Sequence, residues 1–260
     1  MDMNEILNLI VSAEFEAAGI VMQAHDIIKQ NKSGARDVVT EYDKKVQSVL
    51  IDRISAAIPD AHFFCEENSK KDSLSAEHVF IIDPIDGTMN FVRGFRQSCT
   101  SVGYMSYGEL KAGAVYNPHY DELFSAVLGG GAFLNGKPIH CSGEALSETL
   151  CCVGTTPYNP EISDETFSVF KLLFDNSLDI RREGSAALDL CSIACGRGGL
   201  FYEALLSFWD FAAGALIARE AGATVLSTDG SPLVIDGSRT SVLAGSPKAV
   251  EDYLSLRAEV

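Results

Sequence analysis

A short apolar run, Val79-Phe80-Ile81-Ile82, passes without a break into Asp83-Pro84-Ile85-Asp86-Gly87-Thr88. No other stretch constrains the chain as tightly. Branched and aromatic residues in such a run predict a buried strand, and a strand end is where carboxylates can project into a crevice. Asp83 and Asp86 stand three residues apart across a proline-containing turn, so both can reach one small volume. Hard cations such as Mg²⁺ take oxygen ligands from carboxylates, carbonyls and water. Gly87 lets backbone approach an anion closely, and a helix beginning there would add free N–H groups. An acidic turn with aspartates in capping roles would account for Asp-Gly alone, but not for the whole hexapeptide after a buried strand.

The flanking patterns surround this turn with both kinds of secondary structure. Over residues 4–29, Ile6, Leu9, Ile10, Ala13, Ala17, Ile20, Val21, Ala24 and Ile28 recur at helical spacing, until Asn31-Lys32-Ser33-Gly34 breaks the pattern. A second helix is predicted over 41–58, with Thr40 as N-cap and Pro59 as its stop. Phe63-Phe64-Cys65 reads as a strand. The Glu66-Glu67 pair after it is either a solvated turn or the source of a third acid for the cluster. Several short strands are expected between 98 and 139, with a hairpin at Asn135-Gly136. The second half alternates, with strands over 150–153, 200–204, 224–226 and 242–244 and helices over 164–174, 185–195, 211–221 and 248–257. Asp210 stands at the opening of the third of these helices, as a cap or as a cation ligand. Helices, then an antiparallel-rich sheet, then mixed α/β place the chain in the α+β or mixed α/β class.

Charge narrows the function. Acidic residues outnumber basic ones 36 to 20, a net charge of −16, which argues against nucleic acid as a partner. An acidic protein that handles an anionic phosphate needs divalent cations between the two. No run approaches the roughly 20 apolar residues of a membrane span, and the opening Met1-Asp2-Met3-Asn4-Glu5 has no basic segment of a signal peptide. A cytoplasmic location is expected. The seven cysteines contain no Cys-x-x-Cys pair, and Cys65, Cys99, Cys191 and Cys195 sit among apolar or small residues. They read as reduced, buried thiols, and the scattered histidines offer no zinc site.

Four blocks together carry a resemblance: Asp37-Val38-Val39-Thr40-Glu41-Tyr42-Asp43, Phe64-Cys65-Glu66-Glu67, Asp83 through Phe91, and Trp209 through Gly222. In order and approximate spacing they resemble the signatures of the inositol monophosphatase family, over nearly the whole chain. The resemblance implies a layered αβαβα sandwich of the sugar-phosphatase type. It would form a single catalytic unit, 1–260, with pseudo-subdomains of roughly 1–145 and 146–260 and the site between them. It implies Mg²⁺-dependent hydrolysis of a small phosphate monoester, first of all myo-inositol monophosphate to inositol and phosphate. Glu66, Asp83 and the carbonyl of Ile85 would hold one Mg²⁺. Asp83, Asp86 and Asp210 would hold a second, and a third, mostly hydrated ion would touch Glu66. Thr88 and Asp43 would orient and help deprotonate the attacking water, so that Thr88, Asp43, Glu66 and Asp83 form the catalytic set. Asp86, Gly87, Thr88, Gly184, Ser185, Ala186, Glu203 and Asp210 would meet the substrate, and Lys32 would lie in a mobile loop near the metals.

A homodimer, inhibition by lithium and a phosphorylated polyol as the partner also follow from the resemblance. Sibling specificities, namely histidinol phosphate, fructose bisphosphate, NADP or another sugar phosphate, stay open. A non-catalytic regulatory relative would be expected to lose a ligand, and none is lost. The departures from the family pattern are Met89, Phe95-Arg96-Gln97 and Ala223. Glu203, taken alone, reads as a surface carboxylate on an edge strand. With the resemblance it reads as an acceptor for polyol hydroxyls, poorly suited to a second phosphate.

Overall fold

The computed structural model describes residues 1–25, 27–34, 37–67 and 73–258 and, for 31–34 and 37–38, the backbone only. Helix α1 (Met3–Met22) starts in a reciprocal cap, in which Glu5 N donates to Asp2 Oδ1 at 2.8 Å and Asp2 N donates to Glu5 Oε2 at 2.8 Å. It ends well before Lys29. A hairpin follows, β1 (Lys29–Gly34) and antiparallel β2 (Asp37–Thr40), in place of the expected helical tail. Two observations explain the correction. Ile28 is 73% exposed, so the apolar spacing runs past the core face. Tyr42 Oη also captures the chain by donating to His25 O at 2.9 Å. Helix α2 (Glu41–Ala57) is capped by Thr40, as expected.

The first sheet is a meander. Strand β3 (His62–Cys65) lies parallel to β4 (Val79–Asp86). After the short helix α3 (Thr88–Arg93) come β5 (Cys99–Ser106), β6 (Glu109–Asn117), β7 (Glu122–Val127), β8 (Ala132–Leu134) and β9 (Lys137–Ile139). The seven strands keep their sequence order across the sheet. Asn135 and Gly136 both have positive φ, 49° and 72°, the type I′ hairpin that Asn-Gly favours. Strand β4 carries a bulge: Asp83 pairs with Ser101 but Asp86 pairs with Cys99, one extra residue on the β4 side. Pro84, without an N–H, sits inside it.

The second half supplies β10 (Leu150–Val153), α4 (Ser163–Asn176), β11 (Asp179–Arg181), α5 (Ala186–Ala194), β12 (Leu200–Leu206), α6 (Phe208–Glu220), β13 (Thr224–Leu226), β14 (Thr240–Gly245) and α7 (Pro247–Arg257). Its five strands are ordered β11-β10-β12-β14-β13. Three cores define the layers. Ile6, Ile10, Val46 and Leu50 of α1 and α2 pack on Phe80, Ile82 and Val102 of the first sheet. That sheet's other face meets α5 and α6, which also cover Phe201, Val242 and Ala244 of the second sheet. The outer face of the second sheet packs Leu173 of α4 and Tyr253 of α7 against Tyr202 and Leu243. The order is therefore αβαβα, as expected.

Helix α6 is apolar on nearly all sides because it lies between two sheets. It sits close to the first sheet: a Cβ on Gly113 would lie 3.1 Å from Ala213 Cα. All seven cysteines are free, and Cys65, Cys99, Cys151, Cys152 and Cys191 are buried. Among the described residues no helix is long and apolar enough to cross a membrane.

Candidate functional site

The β4 bulge opens onto a cavity of about 570 Å³, within the range of small-molecule sites. Glu66 comes from the end of β3, Asp83 and Asp86 from β4, and Asp210 from the first turn of α6. All four line this cavity. Of the Glu66-Glu67 pair only Glu66 does so, while Glu67 N donates to Gln47 Oε1 at 3.2 Å. Asp210 does not open its helix. The helix starts at Phe208 with Ser207 as N-cap, and Asp210 Oδ2 accepts from Ser207 N at 2.7 Å as the third helical residue. The cap engages one oxygen and leaves Oδ1 for the cavity.

Gly87 and Thr88 follow the bulge and line the same space, as do Ile85, Gly184, Ser185, Ala186 and Glu203. Gly87 has φ +84°, and a Cβ there would lie 2.7 Å from Gln97 O and 3.2 Å from Gly184 O. This seam joins the two halves of the chain. Ser185 Oγ donates to Asp86 Oδ2 at 2.6 Å, and Ala187 N donates to the same oxygen at 2.8 Å. Asn90 Nδ2 bridges Gln97 O and Glu183 O, both at 2.7 Å.

Behind the cavity, Asp43 is fully buried. Its Oδ2 accepts from Thr40 N at 2.7 Å and Thr40 Oγ1 at 2.6 Å. The Thr88 hydroxyl stands 3.2 Å from Asp43 Oδ1 and 3.0 Å from Ile85 O, and its single proton can serve only one of them at a time. The side chain of Lys32 lies outside the described residues.

Glu203 is not on an edge. Strand β12 is the middle strand of its sheet, flanked by β10 and β14, and Glu203 is 8% exposed. Its Oε1 accepts from Thr156 N at 3.1 Å and Thr156 Oγ1 at 3.3 Å. Alternation holds: Phe201 belongs to the core between the sheets and Tyr202 to the outer one.

The electrostatics share one direction. Burial pushes Asp83 well above the usual carboxylate range, and the neighbouring charges of Glu66, Asp86 and Asp210 push it further. Asp210 rises for the same reasons, burial first. Burial lifts Asp86 to about 6 against the Ser185 hydroxyl, the Ala187 and Gly87 N–H groups and the Arg182 charge. Burial lifts Glu203 to about 7, opposed first by Thr156 N. Asp43 is raised by burial despite its bonds to Thr40 and Thr88. Acids outnumber the lining arginines, Arg182 and Arg239, and a cation would offset the excess of negative charge.

The donor set along this wall is all oxygen, which suits a hard ion and not zinc. Among the described residues no three His, Cys, Asp or Glu side chains close into a metal cage. An open carboxylate wall fits Mg²⁺, which usually keeps several waters and is bound through one or two carboxylates plus substrate phosphate.

The family pattern left several cavity residues unassigned. Arg182, Asp189, Thr156 and Arg239 all line the cavity. Arg182 directly precedes the Glu183-Gly184-Ser185 stretch, while nothing around Arg239 marks it in the sequence. Met89 lines the cavity, but Arg96 does not. The Arg96 charge instead bears on His119. Cys191 and Arg197 do stand at the Cys-x5-Arg spacing of thiol phosphatases. Cys191, however, is buried within α5, its thiol pushed up by burial, and Arg197 is engaged by Glu122. No thiolate nucleophile is built there.

The whole chain was compared with known proteins. The model of the inositol monophosphatase family matches residues 2–259. Inositol monophosphatase 2 of Solanum lycopersicum is 38% identical over 252 residues, covering 92% of this chain and 93% of that protein. Nus factor SuhB of Escherichia coli (strain K12) is 33% identical over 258 residues, covering 97% and 96%. The solved structure of inositol monophosphatase from Anabaena (Nostoc) sp. PCC 7120 superposes with a TM-score of 0.87 at 30% identity, covering 100% of this chain and 98% of that one. With Glu66, Asp83, Asp86 and Asp210 lining one cavity and the family model matching nearly the whole chain, the chain belongs to the inositol monophosphatase family, whose members are phosphoric monoester hydrolases.

Proposed function

We propose that the chain hydrolyses a small phosphate monoester, first of all myo-inositol monophosphate, with Mg²⁺ held by Glu66, Asp83, Asp86 and Asp210. The observation that carries this reading is the convergence of these four carboxylates, from β3, β4 and α6, on one cavity beside Gly87 and Thr88. Two to three ions per site fit the proposed ligand sets, with the carbonyl of Ile85 as an added ligand. Bound there, Mg²⁺ neutralises phosphoryl oxygens, lowers the pKa of a water and stabilises the leaving alkoxide.

The chain's own groups do the positioning. The Thr88 hydroxyl, its proton directed to Asp43 Oδ1, has lone pairs left to accept from the attacking water. Asp43 is itself held by Thr40 and keeps Thr88 in place. Gly87, without a side chain, lets the phosphate approach the backbone. Glu203, with Oε1 tied to Thr156, has Oε2 as the acceptor for a polyol hydroxyl. In this reading the metal turn belongs to a pseudo-subdomain of roughly 1–145 and Glu203 and Asp210 to one of roughly 146–260. A homodimer in the cytoplasm remains part of the proposal by family.

The test is phosphate release from inositol 1-phosphate, glycerol 2-phosphate, histidinol phosphate and NADP, with and without Mg²⁺ and with added lithium. Mg²⁺-dependent release led by inositol 1-phosphate supports the reading. Release from none of them would leave a non-catalytic relative as the better account.

A further inference from the structure

We propose that a second cavity, behind the strap between β11 and α5, binds a small organic ammonium ion on Glu183 and that its occupancy is transmitted to the first cavity. The second cavity measures about 380 Å³, within the range of small-molecule sites. Strands of both sheets and α5 enclose it. The strap alternates between the two spaces: Arg182 lines the first, while Arg181 and Glu183 line the second.

The polar groups of this cavity select the ligand. Arg181 is engaged by Asp179 and Arg197 by Glu122. Both positive charges are compensated, so an anion finds no free partner. Glu183 is half-buried, and among the described residues its carboxylate forms neither an ion pair nor a hydrogen bond. The side chains of Gln97, Tyr120 and Ser192, also in the lining, are likewise uncommitted. Their oxygens are acceptors for the remaining N–H bonds of an ammonium group. Leu188 and Cys152 are buried and supply an apolar wall. That wall suits a hydrocarbon body, whereas a hard metal ion would need several more oxygens. The net charge of −16 favours the entry of a cation. The competing account is that Glu183 is a solvated carboxylate on a strap. An amine would then gain nothing over an alcohol of the same length.

The route between the cavities is short. Asn90 lines the first cavity, and its Nδ2 donates to Gln97 O and Glu183 O, both at 2.7 Å. Those two residues line the second cavity. Gly87 is pressed against Gln97 O and Gly184 O with no room for a Cβ. Two residues past Glu183, the Ser185 hydroxyl holds Asp86. The cavities also share a wall: Asp189 lines the first and Cys152 the second, and the Glu183 charge bears on both. A ligand that fixes Glu183 therefore fixes the strap that clamps Asp86.

The probe is pentylammonium, with pentan-1-ol and pentanoate as its neutral and anionic counterparts, titrated calorimetrically into the whole chain. Wild type is expected to bind pentylammonium at least about 10-fold more tightly than either counterpart, the worth of a charged hydrogen bond. Glu183→Gln is expected to lose about 10- to 100-fold in affinity. Glu109→Gln removes the same charge at the other end of β6 from the cavity residue Asn117, and no change is expected. Equal binding of the three probes, or equal losses in the two variants, overturns the site. Transmission is read by amide hydrogen exchange. Pentylammonium is expected to slow exchange over residues 87–91 as well as 184–188, by about 5-fold or more, in wild type and not in Glu183→Gln. Slowing confined to 184–188 overturns the transmission. Neither readout requires metal or turnover, so failure here is distinct from failure of the phosphatase reading.

Discussion

Glu14 and Asp83 are both carboxylates almost wholly removed from solvent, and burial pushes both well above the ordinary range. Their surroundings differ. Glu14 lies on the buried face of α1, and neither of its oxygens has a hydrogen-bond partner among the described residues; the nearby Thr100 hydroxyl offsets its burial only in part. Asp83 ends a strand, faces a cavity and is surrounded by Glu66, Asp86 and Asp210, each from a different stretch of chain. A buried acid is therefore not by itself a site. Convergence of several acids on a space that a ligand can enter is what separates Asp83 from Glu14.

The sharpest way to break this contrast is Asp83→Asn. It removes charge from a ligand proposed to bridge two ions, and turnover is expected to fall by more than the roughly 100-fold of an outer-shell change, while circular dichroism and melting temperature hold. Near wild-type turnover at saturating Mg²⁺ would remove Asp83 from the metal site. Next in size is Thr88→Ala, expected to lower kcat by about 10²–10⁴ with little change in KM. Asp43→Asn should behave alike, and the double variant should lose little more, because paired groups are not additive. Losses that multiply would show that the two act separately.

The smallest effect is expected at Glu14. Its raised carboxyl keeps a proton in the folded state at pH values where the unfolded chain has lost it. Stability therefore falls as pH rises from the ordinary glutamate range toward the raised value. Glu14→Met removes that penalty, so its gain over wild type should grow between pH 5 and pH 8, to about 1–4 kcal/mol. The readout is melting temperature at the two pH values, with phosphate release unchanged. A gain independent of pH would mean that Glu14 is not held protonated.

Much of this architecture was legible in the sequence because local and tertiary preferences agree there. Thr40 before an amphipathic run, Asn135-Gly136 between short strands and the apolar run into Asp83 each have one low-energy solution. Where they disagree, the reading failed. The spacing of α1 continues to Ile28, but Tyr42 holds the chain at His25 and a hairpin follows. Strand β12 looked like an edge because sequence order does not reveal that β10 and β14 flank it. The four-acid cluster was readable through family blocks, with Asp210 one turn position further in than expected. Ser185, expected to meet the substrate, lines the cavity with its hydroxyl directed at Asp86, a bond that no local pattern signals. Arg239 had no local signal, since only the return of β14 to the second sheet brings it to the cavity.

The extra residue on β4 decides a question of parity. In a regular strand, side chains three positions apart project to opposite sides of the pleat. Asp83 and Asp86 would then be divided, one in each layer. The bulge changes odd to even, and both carboxylates turn toward the same side. Pro84 guards that miscount, because a residue without an N–H cannot rejoin the ladder and restore regular pairing. Deleting a single residue between the two aspartates would therefore do more than shorten a loop. It would mend the strand and leave the two aspartates two positions apart, still on one side of the pleat, with the bulge that opens the turn gone.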